Sequence, residues 1–181
     1  MEAVGQIARE APDELTMQAI AARAEIGAAT AYRYYSTMDD VLASYSLGVI
    51  EELNSFAAES SLSGRELFDA VLAKWMELLE EHGAALVHLR SRRGFLERLH
   101  GGDEAITAVA GAWRSAVRGL LDELGLPSEH LEYALFLSNI IFDPREINDL
   151  RTETALSARA VASRLTAAYI GALRGWSALD D

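Results

Sequence analysis

Glu97 and His100 stand three residues apart, a spacing that puts a carboxylate and an imidazole on one face of a helix. Helical di-iron proteins build their centres from two such pairs and two further glutamates. Here the pair has no companion, because His82, His88 and His130 lack a glutamate three residues before them. A surface or structural role is the simpler reading. No His-Glu-x-x-His and no Gly-x-Ser-x-Gly occurs, and Lys74, the only lysine, follows no glycine-rich loop that could cradle a phosphate. Cysteine is absent, which excludes disulfides and thiolate metal sites. The most basic stretch holds Arg90, Arg92, Arg93 and Arg98. Such a run is more often a solvated face answering neighbouring acids than a site for an anionic ligand. No residue pattern requires catalysis, a metal or a cofactor.

The spacing of apolar residues places these groups on helices throughout. Met17, Ile20, Ala21 and Ala24 fall at i, i+3, i+4 and i+7, the stripe of a short helix, and Thr16 can cap it. Glu25-Ile26-Gly27 interrupts the pattern, and a second short helix follows from Ala28 to Tyr35. Two short helices joined by a tight turn form the helix-turn-helix pattern. Before them, Val4, Ile7, Ala8 and Ala11 mark a helix over 2–11 that Pro12-Asp13 ends. After them, Thr37 with Asp40, or Ser36 with Asp39, has capping-box spacing, and Leu42, Tyr45, Val49, Leu53 and Phe56 carry a long helix to about Ser60. Further helices are expected to His82 with Gly83 as the stop, over Ala84–His100, from Asp103 to Gly125, and from Pro127-Ser128 to Asp143-Pro144. A polar connector from Pro144 to Arg151 then leads to a last helix near Thr154–Trp176, rich in alanine and glycine. No period-two strand pattern appears. The chain reads as all-α with about nine helices.

The segment IAARAEIGAATAYRYYSTMDDVL resembles the DNA-binding segment of TetR-type repressors, which run roughly IA-x-x-AGVS-x-x-T-LY-x-YF-x-SK-x-x-LL. Ile20-Ala21, Ala24, Ile26, Thr30, Tyr32, Tyr34, Tyr35, Asp40 and Leu42 match that pattern. Glu25 stands where the family has its turn glycine, Gly27 replaces the capping serine, Ala31 the leucine and Met38 a phosphate-binding lysine. The resemblance implies a three-helix DNA-binding domain over 1–46 and a larger helical ligand-binding and dimerisation domain over 47–181. Carried across by position, Gln18, Ala28, Ala29 and Thr30 would face base edges. Thr16, Tyr32 and Tyr34 would meet phosphates, with Arg33 a plausible addition. It also implies a cavity between the middle helices, bounded by some of Trp75, Phe95, Leu99, Trp113, Phe136 and Asn139, for a small, largely apolar effector. The family's basic arm before the first helix is missing, or the sequence begins late.

At 181 residues, half of them apolar, the chain can bury a sizeable core. No uncharged apolar run approaches ~18 residues, and no signal peptide opens the sequence, so a cytoplasmic protein is expected. The net charge of −12 argues against indiscriminate DNA binding, and residues 1–45 carry only Arg9, Arg23 and Arg33 against seven acids. Residues 131–142 and 155–176 hold more apolar and small side chains than one inward face needs, so a homodimer through the last two helices is expected. The resulting expectation is a ligand-responsive regulator, a repressor, that binds a palindromic double-stranded DNA operator. The alternative is a small-molecule- or protein-binding helical protein of the same fold with weakened DNA binding, and a helical enzyme comes third.

Overall fold

The computed structural model describes residues 1–86 and 93–179. Those residues form ten α-helices and no strand. In order these are α1 (Glu2–Glu10), α2 (Met17–Arg23), α3 (Ala28–Tyr34), α4 (Met38–Glu59), α5 (Gly64–Leu86), α6 (Phe95–His100), α7 (Glu104–Leu124), α8 (Leu131–Ile141), α9 (Pro144–Thr154) and α10 (Ala158–Ser177). Helices α4, α5 and α7 pack on one another at the centre, with α7 across both neighbours. Helices α8 and α10 pair on one side, and α9 bridges α5 and α10.

Local chemistry starts most of these helices where the sequence signals it. Thr16 accepts from the Ala19 N–H at 3.2 Å. Thr37 and Asp40 form a reciprocal capping box at the start of α4, with bonds of 3.1 and 2.9 Å. Asp103 and Ser157 cap α7 and α10, and Gly125 ends α7 in the left-handed conformation.

Three expectations are corrected. The stretch from Pro144 is a helix rather than a connector, which raises the count from nine to ten. Asp143 caps it, Pro144 takes the first-turn position, and Ile147 is its one buried anchor, too few apolar residues to show a stripe. Gly83 does not stop α5, which runs on to Leu86. Finally, no single helix spans Ala84–His100: α5 ends and α6 begins within it, while His88, Arg90 and Arg92 lie outside the described residues.

An aromatic cluster forms the heart of the core. Phe68 is fully buried and stacks on Tyr169, with centroids 5.4 Å apart and planes 4° from parallel. Trp113 stacks on Phe142 at 5.2 Å, and Phe68 tilts against both. The polar tips are satisfied, since Tyr169 donates to the Ala134 carbonyl at 2.7 Å and Trp75 to the Phe142 carbonyl at 3.0 Å. Burial pushes the Tyr169 phenol well above its usual range. The α5–α7 crossing closes on two glycines. A Cβ at Gly119 would sit 2.9 Å from the Gly64 backbone nitrogen, and Gly64 itself has φ of +56°.

Candidate nucleic-acid interface and effector cavity

The reading head is built from α1, α2 and α3 against the first turns of α4. Met17, Ile20 and Ala21 turn inward with Ala31, the one buried residue of α3. Ala24, the fourth residue of the expected stripe, is exposed at the end of α2. The turn is a Schellman closure, in which Ile26 N–H reaches the Ala21 carbonyl at 2.9 Å and Glu25 N–H the Ala22 carbonyl at 3.2 Å. This closure needs a left-handed residue, and Glu25 supplies it with φ of +56°. A residue with a Cβ pays roughly 1 kcal/mol there relative to glycine. Glu25→Gly should therefore stabilise the protein by about 1 kcal/mol, raising its melting temperature by about 2–4 °C in a thermal scan.

The eight positions expected to meet DNA lie in or just before α2 and α3. Thr16, Gln18, Ala28, Ala29, Tyr32, Arg33 and Tyr34 are exposed and Thr30 is half-buried. Tyr34 is 70 % exposed and Tyr32 47 %, high values for aromatic rings. With its oxygen accepting from Ala19, the Thr16 hydroxyl keeps its proton for an outside acceptor. Of the head's arginines, Arg9 pairs with Glu81 at 3.4 Å and Arg23 with Glu10 at 2.9 Å. Arg33 lies over the Tyr34 ring at 5.4 Å and makes no ion pair among the described residues. Met38 opens α4 and packs half-buried against the core.

A polar tie joins this head to the bundle. Tyr45 of α4 and His82 of α5 meet at 2.7 Å between the phenol and Nδ1, beneath Gly5 of α1. A Cβ at Gly5 would come 2.6 Å from the phenol oxygen, so only glycine lets α1 settle there undisturbed. The other imidazole nitrogen faces Glu81 at 3.7 Å, and the direction of the Tyr45 bond follows the imidazole tautomer. Burial pushes the imidazole below its usual range, against the opposing pull of Glu81 and Glu52. The folded state thus favours neutral His82. As pH falls below the ordinary histidine value of about 6.5, the unfolded chain gains a proton that the folded chain resists, and stability is lost. Urea midpoints between pH 7.5 and 5.5 should fall more steeply for the unaltered protein than for His82→Gln.

In the bundle, a cavity of about 350 Å³ opens between α4, α5, α7 and the α8–α9 corner. Trp75, Phe95, Trp113, Phe136 and Asn139 line it, with Ile50 of α4 on its wall. Leu99 does not. It lies about 100° round α6 from Arg98, which does face the cavity, and packs half-buried against the core instead. The sequence reading placed Phe142 in the preceding helix without naming it for the cavity, and it missed Pro144 and Arg145 because it took that stretch for a connector. Ser138 resolves its own burial by donating to the Leu135 carbonyl at 2.8 Å, whereas the Asn139 amide has no hydrogen bond among the described residues.

The other groups with chemical potential are accounted for locally. Glu97 accepts from Arg93 at 2.9 Å, and His100 faces Glu132 at 3.0 Å, so the Glu-x-x-His pair is split between separate partners. Arg98 holds Asp103 through two bonds of 3.0 and 3.1 Å, and its guanidinium keeps that carboxyl below the usual carboxylate range. The described arginines of the basic stretch thus answer neighbouring acids.

Two short helices, a tight turn and an exposed second helix, carried on a larger bundle, form a helix-turn-helix protein of the kind that lays a helix in the major groove. Residues 2–45 match the family described as bacterial regulatory proteins, tetR family. Residues 2–45 thus form a DNA-binding domain of TetR type, which supports a transcriptional regulator of that type. No curated protein and no solved structure matches the chain. No helix among the described residues is long and apolar enough to cross a membrane.

Proposed function

We propose that the protein is a homodimeric repressor that binds a palindromic operator with residues 1–46 and releases it when a small effector enters the cavity within residues 47–181. One observation carries this reading. Helix α4 is continuous from Met38, which follows α3 closely in the chain, past Ile50 on the cavity wall. A ligand that shifts α4 therefore moves the head, and the Tyr45–His82 and Arg9–Glu81 contacts make the head follow. Control is then a population shift between two spacings of the paired heads, which requires the effector to bind one spacing better. Gln18, Ala28, Ala29 and Thr30 face base edges, with the alanine methyls suited to thymine methyl groups. Thr16, Tyr32, Arg33 and Tyr34 hold phosphates. A regulator of bacterial transcription works beside the chromosome, which places it in the cytoplasm.

The second copy docks on α8 and α10. Tyr133, Leu137 and Ile140 form a stripe along α8, with Tyr133 and Ile140 42 % and 46 % exposed, and Tyr133 packs on Trp176 of α10 at 4.3 Å. An isologous contact of two such helix pairs buries that stripe, over more than ~1,200 Å².

Selection from a random duplex pool tests the reading. Enrichment of an inverted repeat, together with a dimeric mass by light scattering at micromolar concentration, is the expected result. A monomeric mass would reject the dimer. Failure to enrich any repeat would reject the operator and leave the second reading, a ligand- or protein-binding relative with weakened DNA binding. That reading draws on the committed Arg9 and Arg23 and on Met38 in the lysine position.

A further inference from the structure

The cavity is walled by aromatic rings, yet its polar groups are not evenly balanced. Among the described residues Arg93, Arg98 and Arg145 line it, with Asp143 as the one acid, in a chain whose net charge is −12. Glu97 and Asp103, the partners of Arg93 and Arg98, lie outside the lining. Arg145 differs from the other two. Its Nε stands 3.6 Å from Asp143 Oδ1, beyond hydrogen-bonding range, and that oxygen already accepts the backbone N–H of Arg145 at 2.9 Å. Among the described residues the Arg145 guanidinium donates no hydrogen bond, and the Asn139 amide, four residues before Asp143, likewise has no partner. The Arg145 fork, ion-paired with Asp143 at 3.6 Å but with its hydrogen-bond donors unused, and the Asn139 amide therefore stand on a wall that Trp113, Phe136 and Phe95 share.

We propose that the effector is a monoanionic carboxylate with an aromatic or cyclic body, its ring among those side chains and its carboxylate on Arg145. This rests on the reading of the cavity as the effector site. A carboxylate presents two oxygens in the plane of the guanidinium fork, and a paired bond of that kind is stronger and more directional than a neutral one. The partial exclusion of water by the aromatic walls strengthens it further. A neutral ring of the same shape fills the cavity but leaves the Arg145 donors unmatched. A dianionic phosphate brings a second charge that Asp143 opposes. The amide of Asn139 can bond a second polar atom on the body and so fix the ring's orientation.

Calorimetric titration of the full chain with a matched pair of probes, indole-3-acetate and the neutral indole-3-acetamide, tests the assignment. The acetate should bind at least tenfold more tightly than the amide. Arg145→Gln, a half-exposed position whose change leaves the core intact, should bring the acetate down to the amide's affinity and leave the amide unaffected. Val109→Phe, which fills the cavity from α7, should abolish both. Equal affinities for the two probes, both lost in Val109→Phe, would overturn the carboxylate assignment while the cavity reading stands. Acetate binding that survives Arg145→Gln or Val109→Phe would place the anion elsewhere and overturn it as well. If neither probe binds the unaltered protein, the assignment falls, and failure of a broader set of neutral aromatic ligands would take the cavity reading with it.

Discussion

Replacing Arg33 by alanine should weaken operator binding by roughly 10²- to 10⁴-fold. Each charge-assisted phosphate contact is worth about 1.5–3 kcal/mol, and a dimer loses one from each head. The size of the effect follows from how few cations the head can offer. Arg9 and Arg23 are engaged with Glu81 and Glu10, so Arg33 is the head's arginine outside an ion pair among the described residues. The logarithm of affinity should fall with the logarithm of salt at a slope of about −2 for the dimer, since each phosphate neutralised contributes about −0.9. Arg33→Ala should flatten that slope almost to zero. Met38→Lys should steepen it to about −4 and tighten binding to all sequences alike, because a phosphate contact carries no base information. Tyr34→Phe should weaken binding and leave the slope alone, since a phenol releases no counterion. Anisotropy titrations at several salt concentrations read all four values. A slope near −6 in the unaltered protein would mean that cations outside this face dominate the contact.

Phe68→Ala should cost about 3–5 kcal/mol of stability, the range for deleting a fully buried phenylalanine. Phe68 touches Trp113, Phe142 and Tyr169 at once, so its loss removes the support behind the very rings that wall the cavity. Urea denaturation should show a large fall in the midpoint with little change in slope. Binding of an aromatic ligand should weaken beyond what the unfolded fraction accounts for, because Trp113 and Phe142 then lose their fixed stack. Unchanged ligand binding by the folded fraction would show that those two rings hold their place without Phe68.

Whatever depends on neighbours along the chain was legible in the sequence. Thr16, the Thr37–Asp40 box, Asp103 and Gly125 act within a turn of their own position, so residue type and spacing suffice to place them. The same holds for the reading head, whose exposed positions lie within a segment of about twenty residues, and for the all-helical class. Helix α9 marks the edge of that legibility. Its Asp-Pro start was present in the sequence, but with Ile147 as its one buried residue it offers no stripe, and tertiary contact with α5 and α10 decides the matter.

The rest needed the third dimension. Gly83 looks like a stop, yet helix α5 continues through it because its neighbours Ala85 and Leu86 are buried in the bundle. Gly64 and Gly119 are 55 positions apart, and only the crossing of α5 over α7 shows why neither tolerates a side chain. Trp75, Phe95, Trp113, Phe136 and Asn139 could be chosen as large or polar residues on inward faces, but Leu99 satisfied the same rule and fell outside, because a rotation of about 100° along a short helix separates wall from core. Periodicity says which face of a helix turns inward. Which inward residues close-pack and which leave space between them depends on how helices distant in sequence cross, and only the packed structure contains that.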